Sequence, residues 1–448
     1  MRSLASLSLV GMLVALGVLL YVHREGDASA PPAPAPPTPV DKPAPVAAPG
    51  KSTPPPLARP LRTVALGWEL IAPGVLAGDQ LKGATFGNTA TVDDLARALA
   101  RGGSEPNGAD IAIVPLASYV AAYERLRALQ PEVVFVVGWS RGREALLGPD
   151  AAALAKATGT VKLAGAPGQP ETFLALFVLD LAGVPAAKVE LVDKDPRVLT
   201  AAPRTPKARP AGKLLLTSAD TPHLMPIVAI VPHGFAAAHA GELEAWGRAW
   251  LAGVAKLQKD VPAAGRQVAA LPEAPQVLDL IEALGQVEFA SLRENAAALG
   301  MSGRGALTLA DIFRTTWRLW RDTGVLTTPP PETAPIDPSL VASLARTDPA
   351  AVADAPRPRL ASEGTKRPEV LLVVRAPAGK LDAEAFVTRI GYLAGVFDRL
   401  SLRIAVKDDA KTAELFAQMA RERFGLRPAQ LVVATRSAAP ATIEVLSN

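Results

Sequence analysis

The clearest chemical spacing in this 448-residue chain is Gly138-Trp139-Ser140-Arg141-Gly142, which matches the pattern G-x-S-x-G. In that pattern two glycines permit a sharp turn that lifts a serine hydroxyl clear of its strand, and the chemistry is nucleophilic acyl transfer. Such a serine needs a histidine base and an acid to orient it. His223, His233 and His239 follow it, with Asp180, Asp193 and Asp220 available as the acid. The same five residues support a second chemistry. At the carboxyl end of a buried strand they form a ligand loop. Ser140 would then donate a hydrogen bond, Arg141 pair with an anion, and Trp139 cover an apolar body.

The elements that position this loop are legible around it. Residues 133–137 are a continuous Val/Phe run of the kind buried on both sheet faces, and a helical pattern is expected after Gly142. Further short Val/Ile-rich runs at 63–67, 111–114, 161–164, 189–192 and 227–231 predict strands. Helical patterns at 92–101, 118–128, 151–158 and 172–182 lie between them. The alternation predicts an α/β domain with a mostly parallel sheet. Helical sections follow at 241–257 and 276–324, where Leu309, Phe313, Trp317 and Trp320 share one face and read as core. Residues 165–172 join a strand to a helix through a glycine turn, with Glu171 in the first turn, where its carboxylate would compete with a bound anion.

Composition narrows the classes. The chain has no cysteine, which excludes disulfides, thiol catalysis and cysteine-ligated metals. Four histidines argue against a multi-histidine metal site, and no cofactor is expected. The net charge of +4 is small for this length, and no basic stripe interleaves with aromatics, so nucleic acid is not an expected partner. Residues 3–22 are uncharged and apolar, and as a helix would span roughly 30 Å, one hydrocarbon core. Residues 1–25 are therefore expected to be a membrane anchor; Ala28-Ser29-Ala30 offers a signal-peptidase alternative that Pro31 disfavours. Residues 26–61 are a Pro/Ala-rich spacer with a reach on the order of 100 Å when extended.

As an α/β-hydrolase the chain fits poorly. Pro232-His233-Gly234 resembles an oxyanion loop but follows the serine instead of preceding it, and Arg141 crowds the position after the nucleophile. A different likeness runs in order along 62–346. Val64-Ala65-Leu66-Gly67-Trp68-Glu69 with Pro73-Gly74, Asp110-Ile111-Ala112 through Pro115 to Ser118, and Val136 to Gly142 resemble periplasmic solute-binding proteins of ABC importers. The class is the one that handles nitrate, sulfonates, taurine and thiamine-precursor pyrimidines. The segments 161–183, 216–235, Glu294-Asn295 and 313–324 continue it. The resemblance implies a two-lobed, periplasmic-binding-protein-like α/β fold that is not an enzyme. It would bind a small solute, an anion among the candidates, through Trp68, Glu69, Ser118, Trp139, Ser140, Arg141, Gln169 and Thr172, and work with an ABC permease. One departure stands out: between Asp193 and Leu214 the chain is short, basic and proline-broken, reads as a loop, and leaves the second lobe truncated.

A linker at 347–367 precedes a β-α-β-α-β-β pattern over 368–448. This small α/β sandwich resembles the OmpA-like domain, with Lys380-Leu381-Asp382 at its first helix and Gly425 to Leu431 as its turn. The likeness implies peptidoglycan as a partner, gripped by Asp408 or Asp409, although the family's arginine position is not matched. Taken together, the expectation is a periplasmic protein held at the cytoplasmic membrane. An envelope scaffold that binds no solute, and a serine hydrolase using Ser140, are the alternatives.

Overall fold

In the computed structural model, the described residues are 57–448 apart from 82, 151–152, 158, 194, 196, 205–211, 302–306, 354–367, 377–380, 407–408, 435–440 and 448. All of them belong to one unit, Thr53–Asn448. The expected anchor at 1–25, most of the spacer at 26–61, and Asp408 lie outside the described residues. Among the described residues, no helix is long and apolar enough to cross a membrane.

The first lobe begins with β1 (Arg62–Ala65), β2 (Thr85–Asn88), β3 (Ile111–Pro115) and the long β4 (Glu132–Ser140). The chain then enters a second lobe made of β5 (Glu144–Gly148), β6 (Val161–Ala164), β7 (Val189–Val192), β8 (Leu199–Pro203) and β9 (Lys213–Thr217). It returns to the first lobe with β10 (Pro226–Val231) and β11 (Val287–Phe289). The first sheet has the order β11-β4-β10-β3-β1-β2; β10 lies antiparallel between β3 and β4. The second sheet has the order β7-β6-β8-β5-β9.

The Val/Ile/Ala runs that predict buried strands serve two cores at once. Along β4, Val133 and Val136 join one hydrophobic cluster, while Val134, Phe135 and Val137 join the other. Helix Ala240–Lys259 covers the second cluster, with Trp246 stacked on Trp250 at 5.0 Å and edge-on to Phe135. Helix Leu309–Asp322 covers the first. Its predicted stripe of Leu309, Phe313, Trp317 and Trp320 is buried, and the Trp320 indole donates to the Ala117 carbonyl at 3.0 Å.

Two expectations are corrected in the second lobe. The segment after Gly142 is not helical: Glu144–Gly148 is a central strand, hydrogen-bonded to β8 on one side and β9 on the other. Burial in a sheet overrides the helix preference of Glu-Ala-Leu-Leu. Nor is 193–214 simply a loop. Leu199 and Ala201 point inward from β8, and β9 completes a five-stranded sheet. The lobe has no helix between β7 and β9 among the described residues.

The C-terminal segment forms β12 (Glu369–Arg375), β13 (Ser401–Ala405), β14 (Leu431–Val433) and β15 (Thr442–Ser447) in the order β12-β15-β13-β14. Helices Ala383–Val396 and Ala410–Phe424 pack on this sheet, giving the expected β-α-β-α-β-β order. Its core is continuous with the cluster around helix Pro170–Leu181, through Tyr392 against Phe177 at 6.3 Å.

Candidate functional site

Two segments carry the chain between the lobes, and the G-x-S-x-G loop is one of them. It runs from Ser140 at the end of β4 to Glu144 at the start of β5. The other runs from Thr217 to Pro226. The glycines have definite tasks. A Cβ on Gly138 would meet the Glu288 carbonyl of β11 at 2.5 Å, and Gly142 has φ +85°, a conformation that disfavours other residues. The Ser218 hydroxyl ties the two crossings together, accepting the Gly142 N–H at 2.8 Å. The Ser140 N–H donates to the Met225 carbonyl at 2.9 Å, and the Arg141 N–H to that of Gln286 at 2.8 Å. This is the architecture of a two-strand hinge, in which a few residues at strand ends absorb relative lobe motion.

Ser140 is 4% exposed and its hydroxyl donates to Glu144, with Ser218 as its other neighbour at 3.4 Å. The histidines of the hydrolase reading have other partners: His233 bonds Glu132, His239 packs on Phe235, and His223 pairs with Asp398. Ser140 is therefore a hinge serine that holds a buried carboxylate.

Between the lobes lies a cavity of about 170 Å³, lined by Ser118, Ser140, Arg143, Glu144, Gln169 and Glu171 among others. It adjoins a more open cleft of about 770 Å³, which includes Trp68, Glu69, Asp93, Arg125 and Asp279. Glu69, on the short turn after β1, is buried and forms an ion pair with Arg143 from the hinge. Burial opposes the Arg143 charge, but Glu69, Glu144 and Glu171 outweigh it and raise its pKa. Burial pushes the Glu171 carboxyl up; its own backbone N–H and Arg143 oppose this, and Glu144 reinforces it.

Of the eight residues expected to face a ligand, the structure brings five together: Trp68, Glu69, Ser118, Ser140 and Gln169 line the two connected spaces. Ser118 donates to the Gly168 carbonyl at 3.2 Å, which holds the loop before helix Pro170–Leu181 against the first lobe. Gln169 stands at the cap position of that helix without a side-chain capping bond. Three expected residues are elsewhere. Arg141 is exposed and lines neither space. Trp139 is buried against His223, edge to face at 5.0 Å. Thr172 is buried and closes its own turn by donating to the Ala166 carbonyl at 2.7 Å. Three charged groups line the inner cavity, Arg143, Glu144 and Glu171, and the expected helix after Gly142 concealed the first two. The signal for them was a five-residue run bounded by Gly142 and by Gly148-Pro149, the mark of a short buried strand.

In the C-terminal domain, Asp409 caps helix Ala410–Phe424, accepting the Thr412 N–H at 2.9 Å and the Thr412 hydroxyl. These bonds lower its pKa. Arg421 bonds Glu414 and the Leu431 carbonyl, so it too serves the fold.

No protein-family model matches the chain, and no curated protein does. Several solved structures are similar in chain path. The ligand-binding component of an ABC-type import system from Staphylococcus aureus, with zinc bound, is 11% identical. It covers 63% of this chain and 98% of its own, with a TM-score of 0.43. A periplasmic sulfonate-binding protein of an ABC transporter from Methylobacillus flagellatus, assigned there as putative, is 13% identical over 64% of this chain and 94% of its own, with a TM-score of 0.45. The periplasmic aliphatic sulphonate-binding protein of Escherichia coli is 14% identical over 60% of this chain and 92% of its own, with a TM-score of 0.40.

Proposed function

We propose that this chain is an extracytoplasmic solute-binding protein that takes a small molecule between its two lobes and delivers it to an ABC permease. In this reading 1–25 anchors the protein at the cytoplasmic membrane and 26–61 spaces the lobes from it. The observation that carries the reading is the interlobe cavity at a two-strand hinge, with Ser118, Arg143, Glu144 and Gln169 turned toward it from both lobes. Concave sites with a few fixed polar groups at lobe boundaries are where solutes bind, and hinge closure buries them. The direct test is thermal denaturation of the full chain against a panel of small anions, amines and pyrimidines. A reproducible, concentration-dependent stabilisation by one solute supports the reading; no stabilisation by any of them contradicts it.

One observation favours a second reading, an envelope scaffold without a solute. The C-terminal domain grips the hinge and the second lobe together: Asp398 pairs with His223 at 3.1 Å, Arg399 with Glu288 of β11 at 2.6 Å, and Tyr392 packs on Phe177. A domain so placed would hold the lobes in one relation. The same denaturation series separates the two readings.

A further inference from the structure

The inner cavity has a wall that belongs neither to the facing surfaces of the lobes nor to the two crossings. Leu66 and Ser118 line it from the first lobe, Gln169 and Phe173 from the second, and Ser140 and Met225 from the crossings. Ile312 and Thr316 of helix Leu309–Asp322 line it as well, so this helix lies across the space between the lobes.

The helix is fastened to both lobes. On the first, Phe313 packs on Tyr119 and Tyr123 at 6.4 and 6.2 Å, Trp317 meets Tyr123 edge-on at 5.3 Å, and the Trp320 indole donates to the Ala117 carbonyl. The chain that follows extends this hold, because the Glu124 carboxylate accepts the N–H groups of Thr327 and Thr328 at 3.0 and 2.8 Å. On the second lobe, Trp320 packs on Phe173 at 6.4 Å, and the Arg318 guanidinium donates to both oxygens of Asp180, at 3.2 and 2.8 Å. Phe173 and Asp180 stand about two turns apart on helix Pro170–Leu181, roughly 10 Å along its axis. One contact alone would serve as a pivot; two contacts so far apart fix the angle between the helices as well as their distance. Phe173 and Trp320 are fully buried, within an apolar cluster that runs through both lobes. Parting the lobes would bring this surface into water and break a bidentate charged pair, so both the hydrophobic effect and the hydrogen bonds oppose it.

We propose that helix Leu309–Asp322 is a strap that pins the two lobes to each other, so that the molecule does not open about its two crossings. The crossings keep the form of a hinge, and the strap withdraws the motion. This goes beyond the solute-binding reading and holds with the cleft empty or filled. The outer cleft shares Ser118, Arg143 and Gln169 with the inner cavity, and offers a solute a way in that needs no lobe movement. The outline presented to a partner is then the same with and without a solute.

The test is the distance between the lobes, measured by double electron–electron resonance on the full chain. Because the chain has no cysteine, Ala100→Cys in the first lobe and Glu190→Cys in the second, both at exposed positions, carry the only spin labels. The expected result is one narrow distance. Arg318→Glu sets a carboxylate against Asp180 and Asp322, and is expected to add a second population at longer distance; Arg318→Gln, which removes the tie without adding a like charge, is expected to do so more weakly. Arg314→Glu, an exposed change on the same helix, is the control and is expected to leave the distance as it was, because its partner Asp311 belongs to that helix. Two populations with Arg318 in place would overturn the strap and leave the solute-binding reading standing. A distance that neither Arg318 variant changes, or that Arg314→Glu changes equally, would likewise overturn it.

Discussion

Ser140, Arg143 and Glu144 show how far the function of a residue depends on a neighbour three or four positions away. Ser140 carries a nucleophile's motif, yet its hydroxyl is committed to a buried carboxylate. Ser140→Ala is expected to lower stability by about 1–3 kcal/mol, because Glu144 loses its hydroxyl partner. A fluorophosphonate probe is expected to label neither the wild type nor the variant; labelling that disappears in Ser140→Ala would restore a catalytic serine. Arg143→Met is expected to destabilise the fold by about 2 kcal/mol in chemical denaturation. It strands the buried Glu69 carboxylate, and the partial exposure of Arg143 itself moderates the loss. At this scale the loop was legible and its charge was not. Gly138 to Gly142 stood out by spacing, and five of the eight expected ligand-facing residues line the cleft. Arg141 was mistaken for the cleft arginine because the turn continues for two more residues before β5 begins, and Arg143 is the one that faces inward.

Elements carry the next set of consequences, centred on the two crossings and the helix end that touches them. His223 lies on the second crossing, with Trp139 on one side and Asp398 on the other. Burial opposes its charge, but the hydrogen bond to Asp398 and the charges of Asp398, Glu294 and Glu288 outweigh burial and raise its pKa. A histidine whose pKa is raised on folding contributes stability that is complete below its ordinary value of about 6.5 and fades as pH rises through the folded value. The grip of the C-terminal domain on the hinge is thus expected to loosen as pH rises above the ordinary histidine value of about 6.5. Hydrogen exchange over residues 221–226, corrected for its intrinsic pH dependence, should speed up across that range. Asp398→Asn should flatten the change; an unchanged pH dependence in that variant would contradict the assignment. Strands β1, β3, β4, β6, β7 and β10 were legible as Val/Ile runs. The missed strands have weaker patterns: β2 is Thr-Phe-Gly-Asn and half-exposed, β11 has three residues, and β8 ends in proline. Their place is decided by neighbours in the sheet, which a single segment does not display.

Across the whole molecule, the three sheets share their apolar interior. Trp320 reaches Ala117 of the first lobe and Phe173 of the second, and Tyr392 carries the contact on to the C-terminal domain. Trp320→Ala is accordingly expected to cost about 3–5 kcal/mol and to lower the melting of all three sheets together as one transition; separate transitions would show that the sheets fold independently. The α/β class was legible from the alternation of elements, and the β-α-β-α-β-β order of the last eighty or so residues from its periodicity. Their fusion into one interior was not, because it depends on which helix faces meet. The central claim, that the space between the lobes receives a solute, is tested most directly by filling that space. Gln169→Trp places an indole where the inner cavity meets the open cleft, at an exposed position without a capping bond. With a solute that stabilises the wild type, calorimetry should show one-to-one binding to the wild type and none to Gln169→Trp, whose melting temperature without solute stays that of the wild type; equal binding to both proteins would contradict the account.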